Sequence, residues 1–578
     1  MTLFHITDDE AAYRQLPSPK CWIQHGYIKE SDFFSSEELM QLNAVAITLD
    51  FDAVELMNKE LRYVLLQLSG KTFRANAAMK TRAAADVTYS LLFDTFKKLV
   101  TEKYFLQCMV QQVTNALSSR GTFSLSFVLT DKMRLADSSL SENIPAAYRY
   151  LSPAGTVSPL SQKKKWFYRL WHWKQALLFR QPAGNRRHVV LYLYDTPHYV
   201  TLLSRFFEAV RQRSDIHLSI VKITTGIEAS RAADFSTLRG ENISVYDIAD
   251  FRAVPFEGHD DLWDALEALD ARYTVLRRYQ SLDNLEVYYA WISASMQLLK
   301  PASVLFLGHT DMGRAVSDSA RLHQVRSVNA EYAFIFDAPI MDINTCFDVR
   351  ASIGQSSIDT WKKHGDPSSK NVPIGYLRFD EVPATGNKSE FFQKHGLDPD
   401  QRTIFFASTW GAANKIHDEE KALIAGDISR LCGEKGWNFI VKKHPSEADT
   451  GVADVIQRNG YSGQRCFAHE EIHLNDAVFW SDLVCTQSSS IVLEAIYFEK
   501  PFCFVSYYGG RSLADYFPFG QEPALANLKS MAAFRSFAEQ VMAAGQQASS
   551  ADYSRLKKKF LFATDAGASE RLLQVLCD

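Results

Sequence analysis

From His188 onward the chain alternates short apolar runs with amphipathic helical stretches, and it does so twice. HVVLYLY, HLSIVKI, NISVYDI, SVLFL, YAFIFDAP, FDVRASIG and VPIGYLRFD read as strands of a first series. TIFFASTW, NFIVKKHP, DLVCTQ and PFCFVSY read as strands of a second, with helices between them and the short segment SGQRCFAHEEI. Continuous apolar runs without polar alternation are the mark of strands buried on both faces. Strands joined through helices run parallel, because a parallel pair needs a long crossover. The expectation is α/β, with one Rossmann-like unit over 188–385 and a second over 386–545 facing it, followed by a helical tail over 546–578. In two such units in series the ligand crevice lies outside the carboxyl ends of the strands. Polar residues at those ends are therefore the site candidates.

The first 187 residues follow another pattern. Helical periodicity runs through 54–69 and 90–117, and TFSLSFVLT is the one stretch that reads as a strand, so 1–155 is expected to be a mainly helical extension. Gln24-His25-Gly26 reads as a chance loop. Residues 156–187 form a linker of different character. Between 161 and 187 there are eight Lys or Arg, no acid, three Trp, two Phe and one Tyr. Such a helix can lie at the surface of the inner membrane, with Trp at headgroup depth and cations on anionic lipid. The plainer alternative is a linker helix that packs its Trp on a neighbouring domain.

Composition narrows the classes. A net charge of −4 gives no global reason to expect nucleic acid. Eight scattered cysteines without a CxxC pair read as reduced core thiols, not as a zinc or disulfide framework. The N-terminus lacks a basic segment followed by an apolar run, and no stretch approaches the ~18 apolar residues of a spanning helix. A cytoplasmic enzyme, bound at most peripherally to the membrane, is the expectation.

Two motifs stand at expected strand ends. Lys442-Lys443-His444-Pro445 closes NFIVKKHP. A histidine there can donate to a phosphate oxygen and offset charge on a departing nucleotide. The alternative is a structural histidine beside solvated lysines. Ser488-Ser489-Ser490 lies between DLVCTQ and a helix expected to begin at those serines. Serines cap helices, yet three exceed what capping needs, and the same place suits an anion. Glu494, one turn on, could accept from ribose hydroxyls or be an exposed helix residue.

In order, these blocks resemble the nucleotide-binding domain of bacterial capsule and teichoic-acid transferases of GT-B architecture. That group includes polysialyltransferases, CMP-sugar transferases and CDP-glycerol glycerophosphotransferases. The blocks that carry the resemblance are VPIGYLRFD, FFASTW, FIVKKHP and LVCTQSSSIVLEAIYFEKP. It covers about 300–530, more loosely 188–300, and not 1–187. It implies a glycosyl or polyol-phosphate transferase acting on a bacterial surface glycan or glycolipid from a cytidine nucleotide, such as CMP-sialic acid, CMP-Kdo or CDP-glycerol. It implies phosphate contacts by His444, Ser488, Ser489 and Ser490. Ser408 and Thr409 then line the cleft, Lys443 and Pro445 flank the histidine, and Phe467 stands near the base.

The other half must deprotonate an acceptor hydroxyl. Strand-end candidates are Asp195 beside His198, His309 and Asp311 in LGHTDMGR, and Asp337 in FIFDAP. The resemblance favours Asp311. Asp337 stands where many relatives carry Gln-His-Gly, a departure that leaves the acceptor open. Arg314 and Arg378 could pair with an anionic ligand or make structural ion pairs. No DxD stands in a strand-end loop, so no metal is demanded. No GxGxxG or Walker motif calls for NAD or ATP, and no cofactor is expected. The rival readings are a UDP- or GDP-sugar transferase of the same architecture and a non-catalytic glycan-binding scaffold.

Overall fold

The computed structural model describes residues 2–7, 10–18, 20–24, 27–31, 123–130, 146–151, 186–194, 196–223, 235–251, 291–308, 311–333, 347–363, 370–381, 386–409, 418–444, 447, 451–468, 471–506, 518–545 and 549–578. Three sheets run through them.

The first sheet is built from β1 (Thr2–Thr7), β2 (Lys20–Gln24), β3 (Tyr27–Ser31), β4 (Phe123–Thr130) and β5 (Ala146–Leu151), in the order β3-β2-β1-β4-β5, and of these strands β4 alone was expected. Only the β2–β3 pair is antiparallel. Among the described residues of 1–155 the one helix is α1 (Glu10–Gln15). The helices expected over 54–69 and 90–117 lie outside the described residues, as do His25, Gly26 and the basic segment through Asn185. The strands escaped a reading by periodicity because TLFHIT, KCWIQ and YIKES are short and half polar. Their pairing is long-range: β1 joins β4 across more than a hundred residues.

The second sheet has seven parallel strands: β6 (Arg187–Tyr194), β7 (Ile216–Ile223), β8 (Ile243–Asp247), β9 (Ser303–Leu307), β10 (Arg326–Ala330), β11 (Val349–Ser352) and β12 (Lys370–Pro373). Their order is β12-β11-β10-β9-β6-β7-β8. Two expectations shift. RSVNA forms a strand that was not expected, after Gln324 takes a positive φ of 56 at the end of the helix; of YAFIFDAP only Tyr332 and Ala333 are described, as a bend, and 334–339 lie outside the described residues. Tyr332 therefore lies beyond a strand end, not within a strand. VPIGYLRFD splits into β12 and a 3-10 turn, Leu377–Asp380.

The third sheet comprises β13 (Thr403–Ala407), β14 (Asn438–Lys442), β15 (Gln464–Phe467), β16 (Leu483–Thr486), β17 (Phe502–Val505) and β18 (Ala526–Leu528), all parallel, in the order β15-β14-β13-β16-β17-β18. Strict alternation sorts its side chains. Phe405, Ile440, Val484, Phe502 and Phe504 enter one core, while Ile404, Phe406, Phe439, Val441, Leu483 and Cys485 enter the other. Helix α2 (Asp418–Lys435) covers the second face with Ile424, Ile428 and Leu431, and α3 (Ser550–Phe560) covers the first with Tyr553, Leu556 and Phe560. Each fully buried Phe or Leu contributes about 1.5–3 kcal/mol, which is why the strands read as unbroken apolar runs.

Counted within each sheet, the order is 3-2-1-4-5-6, with a seventh strand in the larger one. This is the doubly wound Rossmann order, and the chain has the α/β fold of GT-B type expected from its sequence. The last helix, α4 (Ala568–Cys577), returns from the third sheet to the second. Leu572, Leu573 and Leu576 enter the second sheet's core. The guanidinium groups of Arg187 and Arg326 and the hydroxyl of Ser303 donate to its last carbonyls. Cations and donors there offset the negative end of the helix dipole.

Candidate functional site

In this strand order the crevice opens where order reverses, between β13 and β16 in the third sheet and between β6 and β9 in the second. The chain leaves β13 through Ser408 and Thr409 and leaves β16 through Gln487 and the serine triplet. These two exits are tied together. The Thr409 hydroxyl donates to the Ser488 carbonyl at 3.0 Å and lies 3.2 Å from the Thr486 hydroxyl, which donates to the Ala407 carbonyl at 2.8 Å. All four residues are buried. The hydroxyl of Ser488 is closed from solvent and has no hydrogen-bond partner among the described residues. A buried polar group left unpaired costs about 1–3 kcal/mol, so a hydroxyl kept that way is one to account for.

The serines do not cap a helix. The helix begins at Val492, not at the triplet, and its N-cap Ile491 makes no side-chain cap. Ser489 accepts from the Ile491 N–H at 3.3 Å, which shapes the turn. Ser488 and Ser490 are thus released from capping.

His444 follows β14, the neighbour of β13. Its position is set by Glu447, a residue that reading by motif missed. The Glu447 carboxylate accepts from the His444 backbone N–H at 3.1 Å, from the Ser408 hydroxyl at 2.9 Å and from the Lys421 ammonium at 2.8 Å. Both side chains of the Lys421–Glu447 pair are almost wholly buried. One buried carboxylate therefore joins the exit of β13 to the exit of β14, with α2 supplying the counter-charge. Burial holds the His444 imidazole below its ordinary pKa; Glu447 pulls it up and Lys421 pushes it further down. Neutral imidazole, a single N–H donor, is the form favoured near neutral pH.

Of the remaining nucleotide-side residues, Lys443 donates its backbone N–H to the Phe467 carbonyl at 2.9 Å. Phe467, at the end of β15, packs against His395 with ring centroids 4.9 Å apart. Lys442 turns inward and donates to the Ile472 carbonyl at 2.7 Å. Pro445 lies outside the described residues.

Glu494 is not an exposed helix residue: it is wholly buried, and Arg378 donates to it at 2.9 Å. Burial raises its pKa and Arg378 lowers it. Arg378 belongs to Gly375-x-x-Arg378-Phe379-Asp380, and this turn joins the two sheets. Phe379 stacks on Tyr497 at 4.3 Å, and the Asp380 carboxylate accepts from the backbone N–H groups of Ala568 and Ser569, capping α4. Gly375, at φ 92, leaves room for the Arg571 guanidinium beside it. Arg378 thus makes a structural ion pair, one of the two roles open to it in the sequence.

On the second sheet, Asp311 is the first residue of the helix Asp311–Leu322, directly after the exit of β9. His309, Asp195 and Asp337 lie outside the described residues, as does the Arg314 side chain. Sequence reading also missed Glu331, buried just past β10. Its carboxylate accepts from the Ile353 N–H at 2.8 Å, the Ser352 hydroxyl at 3.2 Å and the Trp361 indole. Burial raises its pKa. Among the described residues no group of three His, Cys, Asp or Glu is arranged to hold a metal ion. No described helix is long and apolar enough to cross a membrane.

Residues 348–578 match the model of the CDP-Glycerol:Poly(glycerophosphate) glycerophosphotransferase family. The match spans about two-fifths of the chain and contains all four blocks that carried the resemblance. The likeness to transferases of this kind is borne out over that part. No curated protein matches the chain. Solved structures similar to it include the S. aureus MnaA–UDP co-structure, at 15% identity and a TM-score of 0.45, covering 67% of this chain and 95% of that one. UDP-GlcNAc 2-epimerase from Neisseria meningitidis bound to UDP-GlcNAc matches at 12% identity and 0.46, covering 67% and 99%. The wall teichoic acid polymerase TagF matches at 12% identity and 0.42, covering 72% and 98%.

Proposed function

We propose that this chain transfers a sugar or a polyol phosphate from a cytidine nucleotide to a surface glycan or glycolipid, with the nucleotide phosphate held at the exits of β13, β14 and β16. The observation that carries the reading is the switch-point crevice of the third sheet. There Ser408–Thr409 and His444 are tied together through Glu447, and the Ser488 hydroxyl of the serine turn is buried with no partner among the described residues. The family match over 348–578 supports a phosphate-linked donor.

In this reading Ser488, Ser489 and Ser490 donate to the phosphate oxygens, and the neutral His444 imidazole donates an N–H as charge grows on the leaving group. Removing one such preorganised donor costs about 10²–10³ in kcat. Phe467 borders the base, and Lys443 adds positive potential. An aspartate of the second sheet activates the acceptor hydroxyl: Asp311 first, assisted by His309, with Asp195 and Asp337 as the other candidates. Domain closure on the donor completes the site. The reaction takes place in the cytoplasm, at the face of the membrane that carries the acceptor, with 161–187 as its contact.

A panel of CMP, CDP, UDP and GDP tests the donor by thermal shift, since a ligand of the folded state raises its melting temperature. CMP or CDP is expected to give the largest shift. A larger shift with UDP or GDP would move the assignment to that donor, and no shift with any would favour a scaffold. His444→Ala is expected to lower turnover at least a hundredfold with folding intact, and unchanged turnover would sink its role.

A further inference from the structure

The switch point of the second sheet is lined differently. Tyr194 ends β6, His198 and Tyr199 open the helix after it, Phe306 lies in β9, and Tyr332 follows β10. Their rings form one connected cluster. Tyr199 lies 5.3 Å from Tyr332 and 6.0 Å from Tyr194, centroid to centroid. His198 lies 5.4 Å from Tyr199 and 6.3 Å from Tyr332, and Tyr194 lies 6.1 Å from Phe306. Gly308, at φ 102, is what lets Tyr332 lie there: a Cβ at that position would stand 2.7 Å from its ring.

The cluster is graded from inside to outside. Phe306 and Tyr199 are buried, Tyr194 and Tyr332 are half-buried, and His198 is exposed. Buried rings thus brace exposed ones, which fixes the outer faces at little entropic cost. A strand edge that needed only apolar cover would be served by Leu or Ile. Here four of the five rings carry a polar tip, the signature of a surface that meets both apolar and hydroxyl groups.

We infer that this cluster is the acceptor subsite and that it takes a pyranose ring, stacking the sugar's C–H face on Tyr332 and His198 while phenol hydroxyls bond its hydroxyls. The inference rests on the transferase reading above and adds the acceptor's chemical class. Among the described residues the rings that meet here include no Lys or Arg, whereas an anionic polyol-phosphate end is matched by guanidinium or ammonium groups. The location suits an acceptor: Tyr376, on the turn joining the sheets, is near enough to Tyr332 and to Glu494 for both to act on its phenol.

The test is saturation-transfer NMR on the full chain with methyl glucoside, methyl galactoside, methyl N-acetylglucosaminide and sn-glycerol 3-phosphate. Saturation is expected on ring C–H protons of at least one pyranoside and not on glycerol 3-phosphate. It should fall at least fivefold in His198→Ala, an exposed position, and in Tyr332→Ala, and persist in Tyr332→Phe, which keeps the ring. Saturation absent from every pyranoside, unchanged in His198→Ala, or found on glycerol 3-phosphate instead would overturn the inference. The nucleotide thermal shift is read on the same samples. Its absence in the wild type counts against the donor site alone, and its retention in the variants separates loss of the acceptor subsite from misfolding.

Discussion

The second and third sheets share one strand order but present unlike edges. At the third sheet's switch point the chain turns on Ser408, Thr409 and Ser488–Ser490, and the charge beneath is a buried Lys421–Glu447 pair. At the second sheet's switch point five described side chains form a cluster of rings, of which His198 is the exposed one. Topology decides where a ligand can lie, because strand order opens the same crevice in both. The residues one or two places past each strand end decide what it can be. Small hydroxyls leave room for a phosphate to reach backbone and side-chain donors, and rings fill that room and offer faces.

The sharpest way to break this contrast is at the charged pair. Lys421→Met would leave Glu447 buried without its counter-ion, and the expected loss is about 3–5 kcal/mol, read as a lower melting midpoint. The double variant Lys421→Met/Glu447→Leu should recover part of that loss while keeping the nucleotide shift low, since Ser408 and the His444 backbone lose their common acceptor. A single variant as stable as the wild type would mean that the pair is not what holds the donor edge.

The turn between the sheets gives the next effect, and it depends on pH. Burial raises the Glu494 pKa, and the Arg378 charge and a backbone hydrogen bond oppose it. In Arg378→Gln the carboxyl rises further. A folded pKa above the unfolded value gives stability that is complete below the unfolded value, near 4.3, and lost as pH rises through the folded one. Arg378→Gln should therefore be about 2–3 kcal/mol less stable than the wild type near pH 8 and much closer to it near pH 5. An equal deficit at both pH values would show that the ion pair is not the cause.

The smallest effect belongs to the aromatic edge. Gly308→Ala must adopt a φ that favours glycine and push Tyr332 aside, at about 1–2 kcal/mol. Pyranoside saturation should fall while the CMP shift stays at its wild-type value. A change in both would join the two edges into one site and remove the contrast.

Much of the third sheet's edge was legible in the sequence. FIVKKHP and LVCTQSSS are apolar runs broken by polar residues, and the break marks the strand end that faces the crevice. The contacts beneath it were not legible. Glu447 sits three residues from His444, but its meaning comes from Lys421 and Ser408, 26 and 39 positions away. Glu494 read as a ribose acceptor or an exposed helix residue, because nothing local pointed to its ion pair with Arg378, 116 positions earlier. Tyr332 was read into a strand with the apolar run after it, but RSVNA pairs between β9 and β11 and Tyr332 lies in a bend beyond it; half-polar RSVNA gave no local sign of that pairing.

By itself, the sequence determined the class of fold, most strands of the two Rossmann-like sheets, though not β10 or β18, and the polar residues at several of their carboxyl ends. Those depend on local periodicity, which survives in a linear chain. Only the tertiary structure decided which charges are buried, which serine hydroxyl is left without a partner among the described residues and which rings meet at the second crevice. The N-terminal sheet also emerged only there. Each depends on pairing between segments far apart in the chain, and burial energy is assigned only when those segments meet.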